Sequence, residues 1–142
     1  MNMWLIFAFL SSITAALVAI FGKIGLRGAD PTLAATIRSI IMAIFLAVVS
    51  FSLNKFQDFS LKSFSSKDWI LIILAGVASA LSWLFYFLAL KTGLATKVVA
   101  IDRLSLIFVI ILASVFLGEQ LGWKVIIGAL LMIAGAITIT LK

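Results

Sequence analysis

The amino-acid sequence predicts an all-α, polytopic membrane protein: a bundle of five transmembrane helices. Three observations carry this. Of 142 residues, 65% are hydrophobic and the mean hydropathy is +1.33, more apolar surface than a water-soluble fold of this size can hide. The apolar residues fall into five runs, each about 20 residues long, which is the length needed to cross a hydrocarbon core of about 30 Å. Charged residues make up only 11% and collect mainly between the runs. The net charge of +6 therefore belongs to loops and helix ends, a membrane pattern and not a nucleic-acid one. With no Cys and no His, disulfides, thiolate nucleophiles, imidazole bases and nearly every transition-metal site are excluded, so no cofactor and no enzymatic activity are expected.

The first run covers 3–22 and stops at Gly22-Lys23-Ile24-Gly25. It lacks the basic leader of a secretory signal and is expected to be retained as a span. The second, 31–53, opens at Asp30-Pro31, where Asp30 can cap orphan amides and Pro31 suits the first helical position. A connection follows in which Phe56, Phe59, Leu61 and Phe64 alternate with Lys55, Lys62 and Lys67, as in a segment lying at the interface. Ser65 and Asp68 have capping-box spacing ahead of the third run, 69–90. The fourth covers 95–117 and the fifth 123–141. The whole of 1–142 thus reads as a single transmembrane domain.

Trp4, Trp69 and Trp123 stand at the starts of spans one, three and five, which share one membrane face, and form an aromatic belt there. Lys55, Lys62, Lys67 and Lys124 lie on that face; Lys23, Arg27, Lys91, Lys97 and Lys142 lie on the other. Adding the in-span Arg38 and Arg103 to the second group still leaves both faces positive. So weak a bias permits insertion in both orientations.

Polar residues within the spans are the functional candidates. Arg38 lies roughly 10 Å into the second helix, where a charge costs several kcal/mol unless it is paired or faces water. Asp102 is at matching depth in the fourth helix, so an ion pair between them is geometrically reasonable, as a pathway lining or as a structural clamp; snorkelling of Arg38 to headgroups is the other reading. Ser105, one turn after Asp102, extends that stripe. Trp83 and Tyr86, one turn apart and away from the belt, read either as a cavity wall suited to organic or cationic solutes or as lipid-facing packing with Phe85 and Phe87. Ser11, Ala15 and Ala19, then Ala75, Gly76, Ser79 and Ala80, are ladders of small residues, for which helix packing is the favoured role. Gly128 and Gly135 share a face of the fifth helix that can join two protomers. Glu119, at the end of the fourth helix, reads as an interfacial charge.

The run from Leu81 through Trp83 and Tyr86 to Gly93, then Phe116-Leu117-Gly118-Glu119, Ile127-Gly128-Ala129-Leu130 and Ala134-Gly135, resembles the EamA domain of the drug/metabolite transporter superfamily. Gly22-Lys23-Ile24-Gly25-Leu26, Asp30-Pro31 and Arg38 fit the start of the same domain. The resemblance spans nearly the whole chain and implies one five-helix half of a ten-helix transporter, similar to the short bacterial and archaeal members and located in the inner cell membrane. Two departures limit what carries over. Ile101-Asp102-Arg103-Leu104-Ser105 replaces the Pro-containing turn of many longer members, and the first helix lacks the embedded Glu of the small multidrug relatives.

Five thin helices do not easily wrap a solute cavity, whereas two copies supply ten and an enclosed centre. The expectation is therefore a secondary transporter, an exporter or exchanger of a small organic metabolite or drug-like solute. It would work by alternating access as an antiparallel homodimer. The competing class is a non-transporting membrane subunit of a larger complex, which predicts no flux from the isolated chain. A channel has no charge ring or carbonyl filter motif to recommend it.

Overall fold

The computed structural model describes residues 2–57, 60 and 64–141, and every regular element among them is a helix. Among the described residues, five segments are long and apolar enough to cross a membrane. The protein is a multi-pass membrane protein.

Helix α1 (Met3–Gly25) runs almost one turn past the stop expected at Gly22. One glycine costs a helix about 1 kcal/mol, less than the several that an unsatisfied amide costs in hydrocarbon, so the apolar run carries through. Helix α2 (Pro31–Ser52) starts as expected: Asp30 Oδ1 accepts from the Leu33 N–H at 2.9 Å, and Pro31 takes the first position. Its other end is a Schellman turn. Asn54 adopts φ +54°, the Lys55 N–H reaches the Ser50 carbonyl at 2.9 Å, and the Asn54 N–H reaches Phe51 at 2.9 Å.

Helix α3 (Ser66–Thr92) extends beyond 69–90 at both ends. The capping box forms: Ser65 Oγ donates to Asp68 Oδ2 at 2.8 Å and accepts from the Asp68 N–H at 3.2 Å, while the Ser65 N–H reaches Asp68 Oδ2 at 3.0 Å. In the preceding connection, Phe59, Leu61 and Lys62 lie outside the described residues, as does Lys142 at the C-terminus. Phe64 packs against Trp69 with ring centroids 5.6 Å apart.

The fourth span covers 95–117 but is not one uniform helix. Helix α4 (Ala95–Asp102) and helix α5 (Ser105–Leu112) are joined through Arg103 and Leu104, and a π-helical segment (Ala113–Leu117) follows. Arg103 and Leu104 keep right-handed dihedrals. The hydrogen bonds tighten to the i−3 pattern here: Leu104 to Ile101, Leu106 to Arg103 and Ile107 to Leu104, at 2.9, 3.2 and 2.9 Å. The span ends at Leu117, and Glu119 lies two residues beyond it. Gly118 takes φ +67°, and its N–H and that of Glu119 both bond the Ala113 carbonyl. Helix α6 (Trp123–Thr140) completes the fold.

The chain divides into two compact units: a terminal one (Met1–Lys23 with Thr92–Lys142) and a central one (Ile24–Lys91). In the terminal unit Lys23 Nζ donates to the Gly93 carbonyl at 2.7 Å, and Lys97 Nζ to the Thr140 carbonyl at 2.8 Å. In the central unit Lys91 Nζ donates to the carbonyls of Leu26 and Ala29, at 2.7 and 2.9 Å. These lysines serve backbone carbonyls at or just beyond helix ends, groups a helix cannot satisfy internally. Few side chains are buried: Ala19 and Ala136 in the terminal unit, Leu26, Ala35, Phe87 and Leu90 in the central one, and none that is polar among the described residues. The exposed side chains along the spans are mostly large and apolar, a surface for which hydrocarbon is the stable solvent.

Candidate functional site

In the central unit, α2 and α3 bring together three of the expected site residues. The Arg38 guanidinium carbon lies 3.5 Å from the Trp83 ring centroid and 6.0 Å from that of Phe87. Trp83 in turn meets Tyr86 edge-on at 5.4 Å and Phe87 at 6.1 Å, and Tyr86 lies 6.3 Å from Phe87. The spacing of α3 explains this: Trp83, Tyr86 and Phe87 stand at i, i+3 and i+4 on one face. Phe87 is buried, whereas Phe85 is turned outward and exposed. A cation over an aromatic face is attracted by the ring quadrupole, most strongly where water is excluded. The Arg38 Nη1 is fully enclosed and has no hydrogen-bond partner among the described residues.

The other expected residues belong to the terminal unit. Asp102 closes α4, half-buried, and Ser105 opens α5, exposed. Three residues apart across a link with i−3 bonds, they stay close to eclipsed on one helix face. Of the small-residue positions, Ala15 is half-buried, while Ser11, Gly76, Ala80, Gly128 and Gly135 are exposed on the chain. A Cβ placed at Gly76, Gly128 or Gly135 would meet no neighbouring atom within 4 Å.

The terminal unit also contains a cavity of about 650 Å³, with Ala16 and Ala19 of α1, Ala100 of α4, and Gly135 and Ala136 of α6 in its wall. Arg103 is its one charged lining residue. Sequence reasoning missed this site. The signal is present in the small residues of these helices, but spacing alone reads equally as close packing.

The fold is that of a five-span helical membrane protein in which Arg38 lies against aromatic rings within a span. Residues 2–141 match the EamA-like transporter family, and the chain belongs to that family. It is similar, at 34% identity over 134 residues, to an uncharacterized transporter in the cobO 3' region of Sinorhizobium sp, with 94% of each chain covered. No solved structure matches it. The family is one of transporters and not of enzymes, in line with the expectation drawn from composition.

Proposed function

We propose that the chain is a secondary transporter of a small organic solute, an exporter or exchanger in the cell membrane of a bacterium or archaeon, working by alternating access as a homodimer. The observation that carries this reading is the Arg38 guanidinium, held inside a span against Trp83 with Nη1 unpartnered among the described residues. An intramembrane charge is costly, and such groups ordinarily serve a solute or ion pathway. Arg38, Trp83 and Tyr86 in the central unit, and Asp102 and Ser105 in the terminal unit, are the candidates to touch solute.

The dimer follows from a count of helices. Five spans offer little enclosure, whereas two copies of opposite orientation give two gates around one centre, the logic of inverted repeats. The exposed Gly128 and Gly135 on α6 are the surface proposed for that contact. The test is a topology reporter after Lys142 in cells expressing only this chain, followed by flux assays on the purified protein in proteoliposomes. Signal from both sides of the membrane, a dimer in the bilayer and solute flux are expected. A single orientation, or a monomer, would end the antiparallel homodimer; absence of flux across a broad solute panel would favour a non-transporting subunit.

A further inference from the structure

The stack of Arg38 on Trp83 carries an inference about substrate class, and it rests on the reading of the chain as a solute carrier. We propose that Arg38 is the docking point for an organic carboxylate, held by the guanidinium edge that Nε and Nη2 form, and that the same stack shuts cationic solutes out. At 3.5 Å from the ring centroid, the guanidinium carbon is in van der Waals contact with the indole. The group must therefore lie flat on the ring, because an edge-on approach would drive a nitrogen about 1.3 Å further in, inside contact distance. Its five N–H bonds then run along the ring face and need acceptors elsewhere. No hydrogen bond or ion pair engages Arg38 among the described residues. Within the side chain only Nη1 is both enclosed and unpartnered, so Nε and Nη2, equally unpartnered, are open to an incoming group. These two present parallel N–H bonds, the fork that a planar carboxylate fills with both oxygens.

Among its described residues, the central unit supplies no carboxylate for this fork. Asp30 caps the Leu33 amide at the start of α2, and Asp68 is engaged by Ser65 at the other end of α3 from Trp83. Asp58 lies outside the described residues. The Trp83 face that would suit a cationic solute is already covered by the chain's own cation, which repels a second one. Depth selects a free solute over a lipid phosphate. Arg38 follows Pro31 by seven residues and Trp83 precedes Thr92 by nine, roughly 10 and 13 Å from those helix ends. Snorkelling would lift the guanidinium toward the headgroups, whereas its contact with Trp83 holds it at this level.

The experiment is calorimetric binding to the full chain in phosphatidylcholine nanodiscs, with the heat of empty discs subtracted. The probes are phenylacetate, phenylacetamide and phenethylamine, one body carrying a negative, neutral or positive head. Hexanoate, hexanamide and hexylamine repeat the series on an aliphatic body. Both carboxylates are expected to bind at least roughly tenfold tighter than their amides, the effect of a charge-assisted fork, and the amines more weakly than the amides. This series needs only the unaltered protein, so it does not depend on any variant folding. Arg38→Gln should bring carboxylate affinity down to that of the amide, and Arg38→Lys, which keeps the charge without the fork, should fall between the two. No carboxylate binding, equal binding of the three heads, a preference for the amines, or carboxylate affinity unchanged in Arg38→Gln would overturn the proposal. So would displacement of the carboxylates by added phosphatidylglycerol, which would assign the fork to a lipid phosphate. Binding is read without flux, so carboxylates that bind but do not cross in proteoliposomes would sink the carrier reading alone. Flux of other solutes with no carboxylate binding would sink this site alone.

Discussion

The Arg38 guanidinium sits over the indole of Trp83, its central carbon 3.5 Å from the ring centroid, and this contact ties α2 to α3 within the central unit. A desolvated cation–π contact is worth about 2 kcal/mol. Trp83→Ala should therefore lower the thermal unfolding midpoint in detergent more than Trp83→Phe does. Equal loss in the two variants would mean that the stack contributes little beyond packing.

Arg38→Lys keeps the charge but replaces a planar group by a compact ammonium that stacks poorly. If solute meets this cluster, Arg38→Lys should reduce transport in proteoliposomes by roughly tenfold or more, an effect the size of one good polar contact. Transport at the normal rate with Arg38→Met would show that the cation is dispensable.

Gly118 stands at φ +67°, where a side chain is strained, although a Cβ there would meet nothing within 4 Å. The cost of Gly118→Ala is thus backbone strain alone, about 1 kcal/mol. Amide exchange of Gly118 and Glu119, whose N–H groups hold the Ala113 carbonyl, should accelerate in the variant. Unchanged protection at both amides would contradict the strain argument.

Lys91 donates to the carbonyls of Leu26 and Ala29. Lys91→Met removes the donor and leaves carbonyls that must find water or another partner, at about 1–3 kcal/mol. Faster exchange across 26–30, with the 69–75 amides unaffected, is the expected pattern in hydrogen-exchange mass spectrometry. Uniform loss of protection would instead mean that the bond supports the whole unit.

Ser65 and Asp68 exchange hydrogen bonds at the start of α3. Ser65→Ala should destabilise that end by about 1 kcal/mol and Ser65→Gly by less, since glycine is itself a tolerated cap. The readout is fraying of the first turn by amide exchange at 67–70. Equal protection in wild type and Ser65→Ala would show that the membrane interface holds this turn without the cap.

Much of this architecture is local chemistry and could be read from the chain. Long apolar runs make spans because hydrocarbon leaves a backbone no hydrogen-bond partners but its own. Asp30 ahead of Pro31, and Ser65 three residues before Asp68, mark helix starts because the cap and its target amide are neighbours in sequence. Less legible were the ends. Gly22 resembled a stop, yet an apolar helix absorbs one glycine; among the described residues Gly118 and Asn54 are the positions with left-handed backbone.

Other features depend on groups far apart in the chain. That Trp83 and Tyr86 share a face follows from helical spacing, but the stacking of Arg38 on Trp83 required α2 and α3 to meet at one depth. The change of helix type at Arg103–Leu104 has no proline or glycine to announce it. The cavity beside Arg103 needed α1, α4 and α6 to come together with small residues facing inward. Hydrophobicity and capping act over a few residues and are written locally. A cavity is the space left between helices, and it exists only once their packing has set the distances.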